Sequence, residues 1–315
     1  MKSLLASWES LCAASGALRF IDINLRGVGQ VMFQDNPLSG ALFLAAIAWG
    51  AFAAGVPQVL FGGLLAVVAA TLTAQWLRVE PASLRAGLYG FNGVLVGLAL
   101  ATFVAPGPLL WAYVVLGAAV SVVAMEATAN VTKTWSMPAL TFPFVLVTWL
   151  LLLATYGFAG LSGAALPSAG VVAPFQSMAA TRLDAGLFVQ ATLLSISQVF
   201  LKGSAIAALL FLAGLAVNSV AAAVAAIAGA ILAVITAHAL GAESDLITGG
   251  LLGFSPVLTA VALGTVFTVI AQAAFNVALT PLAIPALTGP FVLVTWMFLL
   301  PRLALDGAAG EPSGK

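Results

Sequence analysis

Long apolar runs broken by short polar, glycine- or proline-bearing joints dominate the chain. They cover roughly 38–55, 57–75, 86–104, 109–127 and 138–156, and then 204–219, 220–239, 247–263, 264–281 and 284–300. Each is about the length a helix needs to cross a bilayer. A shorter stretch precedes each set, near 20–36 and 187–202, and is too polar or too brief for a full crossing. The alternating ten-residue segments of a membrane β-barrel are absent. The pattern predicts an all-α polytopic membrane protein. A Gly/Ala/Pro/Ser-rich joint from Gly157 to Met178 separates the sets, giving a first half at 1–160, a linker at 161–184 and a second half at 185–315.

The halves repeat one another. Pro138 to Trp149 reads PALTFPFVLVTW and Pro285 to Trp296 reads PALTGPFVLVTW, identical at eleven of twelve positions. LYGFNGVLVGLAL from Leu88 pairs with LLGFSPVLTAVAL from Leu251, at seven of thirteen. Gln30-Val31 and Gln198-Val199 form a third pair, each followed by an LFLA run, at 42–45 and 210–213. The same order in both halves marks an internal duplication. Five crossings per half is an odd number, so the second copy is expected to run inverted through the membrane.

Charge supports that orientation. With the N-terminus in the cytoplasm, Lys2, Arg19, Arg26, Arg78, Arg85, Lys133, Arg302 and Lys315 fall inside, and only Arg182 and Lys202 fall outside. The 241–246 loop, placed outside, carries Glu243 and Asp245 and no basic residue. This is the positive-inside pattern, with both termini cytoplasmic. Composition agrees: 63% of residues are hydrophobic and 6% charged, where a soluble domain carries about a quarter charged residues. The net charge of zero argues against a nucleic-acid partner. One cysteine, Cys12, excludes an intrachain disulfide and a thiolate cluster. Glu9 interrupts the apolar run after Lys2, so no cleaved signal peptide is expected.

Inverted repeats place a solute path where equivalent residues face one another, so the duplicated positions are the candidates. They are Gln30 and Gln198, Thr141 and Thr288, Phe91 and Phe254, and Leu95 and Leu258 one turn later. A glutamine in the membrane region must satisfy two donors and an acceptor, and finding it twice points beyond packing. Thr141 and Thr288 are flanked by prolines at −3 and +2, which free backbone carbonyls to line a path. Thr148 and Thr295 are also equivalent, and their expected role is a hydrogen bond to backbone or a neighbouring helix. Phe91 and Phe254 could equally face lipid or core. No duplicated position is ionisable. Glu126 and His238 lie at span ends, and His238 has the character of an interfacial histidine. An enzyme would need a nucleophile with its base or a set of metal ligands, so catalysis and cofactors are not expected. The residues point to a path for a small, uncharged, hydrogen-bonding solute. An ion-coupled carrier using Lys202 or His238 is the competing class.

RGVGQVMFQDNPLSG, the two GF segments and the two PALT-x-PFVLVTW blocks together resemble the urea transporter family, over about Arg19 to Pro301. The resemblance implies two inverted five-helix halves, each with a tilted re-entrant helix. It also implies a homotrimer in the plasma (inner) membrane, with one pore per subunit and facilitated, uncoupled urea movement. By matching motif it makes Gln30 and Gln198 the markers of two urea sites. Phe33, Phe91 and Phe254 become slot-forming rings, Val31, Val199, Leu95 and Leu258 the walls, and Thr141 and Thr288 the central hydroxyls. Leu201 stands where Phe33 has its ring, so the second slot is expected to be aliphatic on one face and less selective between urea, other amides and ammonia. A planar solute with two NH2 groups and one carbonyl suits such slots, which leave an ion dehydrated and uncompensated.

Overall fold

The computed structural model describes residues 2–172, 182–260 and 264–309. In the first half the helices are α1 (Lys2–Ala14), α2 (Gly16–Gln30), α3 (Pro37–Ala53), α4 (Gln58–Trp76), α5 (Pro81–Arg85), α6 (Gly90–Phe103), α7 (Pro108–Thr132) and α8 (Phe142–Thr155). In the second they are α9 (Ala185–Ser197), α10 (Ala205–Asn218), α11 (Val220–Ala239), α12 (Ser244–Thr248), α13 (Phe254–Thr259), α14 (Thr265–Leu279) and α15 (Gly289–Ala309). Among the described residues four segments are long and apolar enough to cross a membrane: Gln58–Trp76, Pro108–Trp135, Val220–Ala239 and Thr265–Leu282. Their outward faces are apolar, as at Trp76 (80% exposed) and Val220 (67%). Such faces suit lipid, in which every backbone group must pair within the helix. The chain is an all-α polytopic membrane protein.

Local chemistry sets the helix starts. Asn36 caps α3 by accepting from the amides of Leu38 and Ser39, with Pro37 in the first turn. Ser204 caps α10 and Ser219 caps α11 in the same manner. These oxygens satisfy amides that have no partner within the helix, and a first-turn proline loses nothing because its N–H would be idle.

Two expected crossings in each half differ from continuous helices. Residues 86–89 and 249–253 form turns ahead of α6 and α13, and residues 138–141 and 285–288 are non-helical ahead of α8 and α15. Left-handed backbone accounts for the breaks. Gly87 (φ 76°) matches Gly250 (φ 69°), and Leu140 (φ 53°) matches Leu287 (φ 51°). In the first half the helices that follow are short, 14 residues in both α6 and α8. Residues 261–263, the end of the expected 247–263 segment, lie outside the described residues, as do 173–181 of the linker. The short stretches before each set also become helices that stop early. The helix running over Ala185–Phe200 meets α10 at a 70° bend, the geometry of a re-entrant segment.

The duplication extends to backbone strain. Phe33 (φ 60°) matches Leu201 (φ 58°), and Ser136 (φ 50°) matches Ala283 (φ 53°). A left-handed phenylalanine or leucine is unfavourable and persists only where its surroundings hold it. The halves also interlock. Ser39 Oγ in α3 donates to the Gly214 carbonyl of α10 over 2.7 Å. A Cβ on Gly214 would come within 2.6 Å of the Phe43 ring. Close backbone approach through small residues is how helices associate where lipid is as apolar as the side chains.

Thr148 and Thr295 depart from their expected role. Their hydroxyl oxygens are the buried side-chain polar atoms without a hydrogen-bond partner among the described residues. An unsatisfied buried hydroxyl is costly, so Thr148→Val and Thr295→Val are each expected to stabilise by about 1 kcal/mol. Thermal unfolding in detergent checks this, and a lower midpoint in both variants would mean that the hydroxyls are partnered in solution.

Candidate functional site

The repeated turns hold duplicated polar groups, and one pair of these meets across the halves. α2 ends at Gln30, whose side-chain amide Nε2 donates to the Ala86 carbonyl over 2.9 Å. At the matching place in the second half, Gln198 Nε2 donates to the Gly249 carbonyl over 3.1 Å. Each glutamine thus grips the residue just before a left-handed glycine, Gly87 or Gly250. Each keeps its remaining hydrogen-bonding capacity beside the opening of a short helix.

Thr141 and Thr288, both about 3% exposed, sit at the starts of α8 and α15. Their hydroxyl oxygens lie 2.6 Å apart and share a hydrogen bond. Around them the halves exchange contacts reciprocally. Trp149 Nε1 donates to the Pro285 carbonyl and Trp296 Nε1 to the Pro138 carbonyl, both over 2.9 Å. The pattern is reciprocal: each PALT block receives an indole from the opposite block. The prolines leave their carbonyls available because the backbone there is not helical.

A residue that the duplication did not single out holds this turn in place. Asn92, fully buried in α6, accepts from the Phe144 amide over 3.1 Å and donates to the Leu140 carbonyl. It anchors both sides of Thr141. Its counterpart Ser255 instead bonds Gln272 over 2.6 Å. Unlike residues at equivalent positions hide the role from a search for identity, although a lone asparagine within an apolar run is a signal in itself.

The remaining candidates spread over a packed centre and two cavities. Val31, Val199, Phe91, Leu95 and Leu258 belong to one buried cluster, with Leu201 and Phe254 packed against it. Phe91 (7% exposed) and Leu95 (1%) sit in that core and line neither of the two cavities. Phe33 is 45% exposed; its ring centroid lies 6.1 Å from that of Phe291, and with Leu258 it lines a cavity of about 190 Å³. Leu201 lines a second cavity of about 330 Å³. Phe33 and Leu201 are equivalent in the duplication, so the two cavities lie at corresponding positions of the halves.

Among the described residues no ionisable side chain hydrogen-bonds the threonine pair. Glu126 in α7 accepts from the Tyr89 hydroxyl. His238 is exposed at the end of α11. Among the described residues no group of three or more His, Cys, Asp or Glu is arranged to hold a metal. A comparison with known families decides the family: residues 21–303 match the one described as Urea transporter. The chain belongs to the urea transporter family. "Urea transporter 1" of Ovis aries is 28% identical over 307 residues, which cover 90% of this chain and 77% of that protein. "Urea transporter 1" of Rattus norvegicus is 29% identical over 309 residues, with the same coverage. The family match spans both halves, so it includes both glutamines and both threonines.

Proposed function

We propose that the protein lets urea cross the membrane passively, through one path in each subunit, from the mouth at Leu201 past Thr141 and Thr288 to the mouth at Phe33. The observation that carries this is the shared hydrogen bond between the two threonine hydroxyls. Each satisfies the other while the path is empty. Each can instead donate to the urea carbonyl or accept from its NH2 groups, so neither is left unpaired as the solute passes. The glutamines at the two turns and the carbonyls of the non-helical segments supply the edge contacts. Phe33, Phe91, Phe254, Leu95, Leu258, Leu201, Val31 and Val199 shape the apolar faces. An ion would lose its hydration there against groups that offer no counter-charge. Urea itself is suggested by the family and by the relatives' name.

The same proposal takes the halves, 1–160 and 185–315, as inverted copies joined by 161–184. It places both termini in the cytoplasm and the protein in the plasma (inner) membrane as a homotrimer, a transporter with no catalytic step. The reciprocal indole contacts and the one-sided basic residues support the inverted arrangement.

Reconstituted liposomes test it. Urea-driven volume change, followed by light scattering, is expected to be fast, saturable only at high urea, and unchanged by proton or sodium gradients. Flux that needs either gradient would replace this proposal with ion-coupled transport, and absent flux would remove urea as the solute.

A further inference from the structure

The two mouths are built from equivalent positions, but one pair of residues has diverged chemically. QVMFQ from Gln30 aligns with QVFLK from Gln198, so Gln34 corresponds to Lys202. LFLAAIAWG from Leu42 aligns with LFLAGLAVN from Leu210, so Gly50 corresponds to Asn218. At the smaller cavity the pair is closed: Asn218 Nδ2 donates to Gln34 Oε1 over 2.9 Å, and Gln34 Nε2 donates to the Met32 carbonyl over 2.6 Å. At the larger cavity glycine replaces the asparagine and the lysine stem runs across it. A Cβ on Gly50 would lie 2.9 Å from Lys202 Cδ.

Lys202 is 4% exposed and lines this cavity, and among the described residues its ammonium has no hydrogen-bond or ion-pair partner. No aspartate or glutamate belongs to the lining, which has Gln58, Thr102 and Ser204 as its other polar side chains. Two helices also begin there. Gln58 opens α4, whose preceding residue provides no side-chain cap, and Ser204 precedes α10. α4 presents the uncapped positive end of its dipole, whereas the Ser204 hydroxyl already accepts from the Ala207 amide at the start of α10. The Lys202 ammonium and the N-terminus of α4 concentrate positive potential in a cavity of about 330 Å³ with no carboxylate in its lining. That combination is a binding environment for an anion.

We propose that the cavity at Lys202 holds a small, free, monovalent inorganic anion at the mouth of the second half. The ammonium would bind it with charge-assisted hydrogen bonds, and the Gln58 amide and the Ser204 hydroxyl would complete its shell. The proposal does not depend on urea being the solute, and its test does not read transport.

The probe is bromide. Full-length protein in lipid-free detergent is titrated with sodium bromide, with sodium gluconate holding ionic strength constant, while the thermal unfolding midpoint is followed. A saturable rise is expected in the wild type, because a ligand that binds only the folded state stabilises it. Lys202→Met keeps the apolar stem over Gly50 and removes the charge. Lys202→Gln with Gly50→Asn recreates the closed amide pair of the other mouth, which gives a second folded control. Each is expected to weaken the apparent bromide affinity about tenfold or more, the loss of one hydrogen bond to a charged group. Anomalous diffraction from bromide-soaked crystals should place the ion against Lys202 Nζ. Absence of a saturable effect in the wild type would overturn the proposal, as would an undiminished effect in both variants. A bromide effect abolished by added phosphatidylglycerol would assign the cavity to a lipid phosphate and overturn it equally.

Discussion

Proteoliposomes carrying Thr141→Val together with Thr288→Val are expected to pass urea about thirtyfold more slowly than the wild type, with two hydrogen bonds of about 1 kcal/mol each removed from the proposed path. Valine matches threonine in shape, so packing around the pair is retained while its hydrogen-bonding capacity is lost. Both hydroxyls are buried and bonded to each other. The double replacement therefore removes two partners together and leaves no orphaned group behind, which keeps the cost to stability small. Either single variant leaves one hydroxyl unpartnered in the resting state, so each should be less stable than the double variant. The decisive comparison is flux at equal amounts of folded protein. Unchanged urea flux in the double variant would make these threonines a structural clasp between α8 and α15 and remove them from the path.

The second large effect concerns the turns that carry the glutamine contacts. Gly87→Ala and Gly250→Ala are each expected to destabilise the protein by about 3 kcal/mol, combining a left-handed backbone with overpacking. A Cβ on Gly87 would lie 2.3 Å from the Gly27 amide nitrogen, and one on Gly250 would lie 2.4 Å from the Ser195 amide nitrogen. The obstructing atoms are backbone, so no rotamer change relieves the clash. The turn must move instead, and the adjoining carbonyls of Ala86 and Gly249 that accept from Gln30 and Gln198 move with it. Thermal unfolding in detergent should show a lower midpoint for both variants. Equal midpoints in variant and wild type would mean that the helices can separate at no cost at these crossings. Gly55 is the control: its φ is also positive, at 68°, but a Cβ there meets open space, so its substitution should cost backbone strain alone, about 1 kcal/mol.

Much of this architecture was legible from the residues. Apolar run length predicts membrane helices because the bilayer fixes the distance that must be crossed. Near-identity of the PALT blocks marks a duplication because a repeated unit uses the same residues for the same backbone. Leu140 and Leu287 do share a left-handed conformation. The equivalence of Thr141 with Thr288, and of Gln30 with Gln198, was visible as well. Other features were hidden in the pattern. The breaks before α6 and α8 fall inside runs of continuous hydropathy, and hydropathy reports on transfer to lipid while being silent on φ. Asn92 escaped because its partner in the duplication is a serine that makes a different bond.

The sequence by itself determined that the chain crosses a membrane as two related halves, and which polar residues occur twice. Those properties depend on composition and order along one dimension. Only the tertiary structure decided what the paired residues do with one another. It joined Thr141 to Thr288 hydroxyl to hydroxyl, buried Phe91 and Leu95 in the core, and left Thr148 and Thr295 without partners. It also set Gln34 against Asn218 while stretching Lys202 over Gly50. Contacts between residues more than a hundred positions apart depend on how helices cross and which side chains those crossings leave room for, and packing in three dimensions decides that.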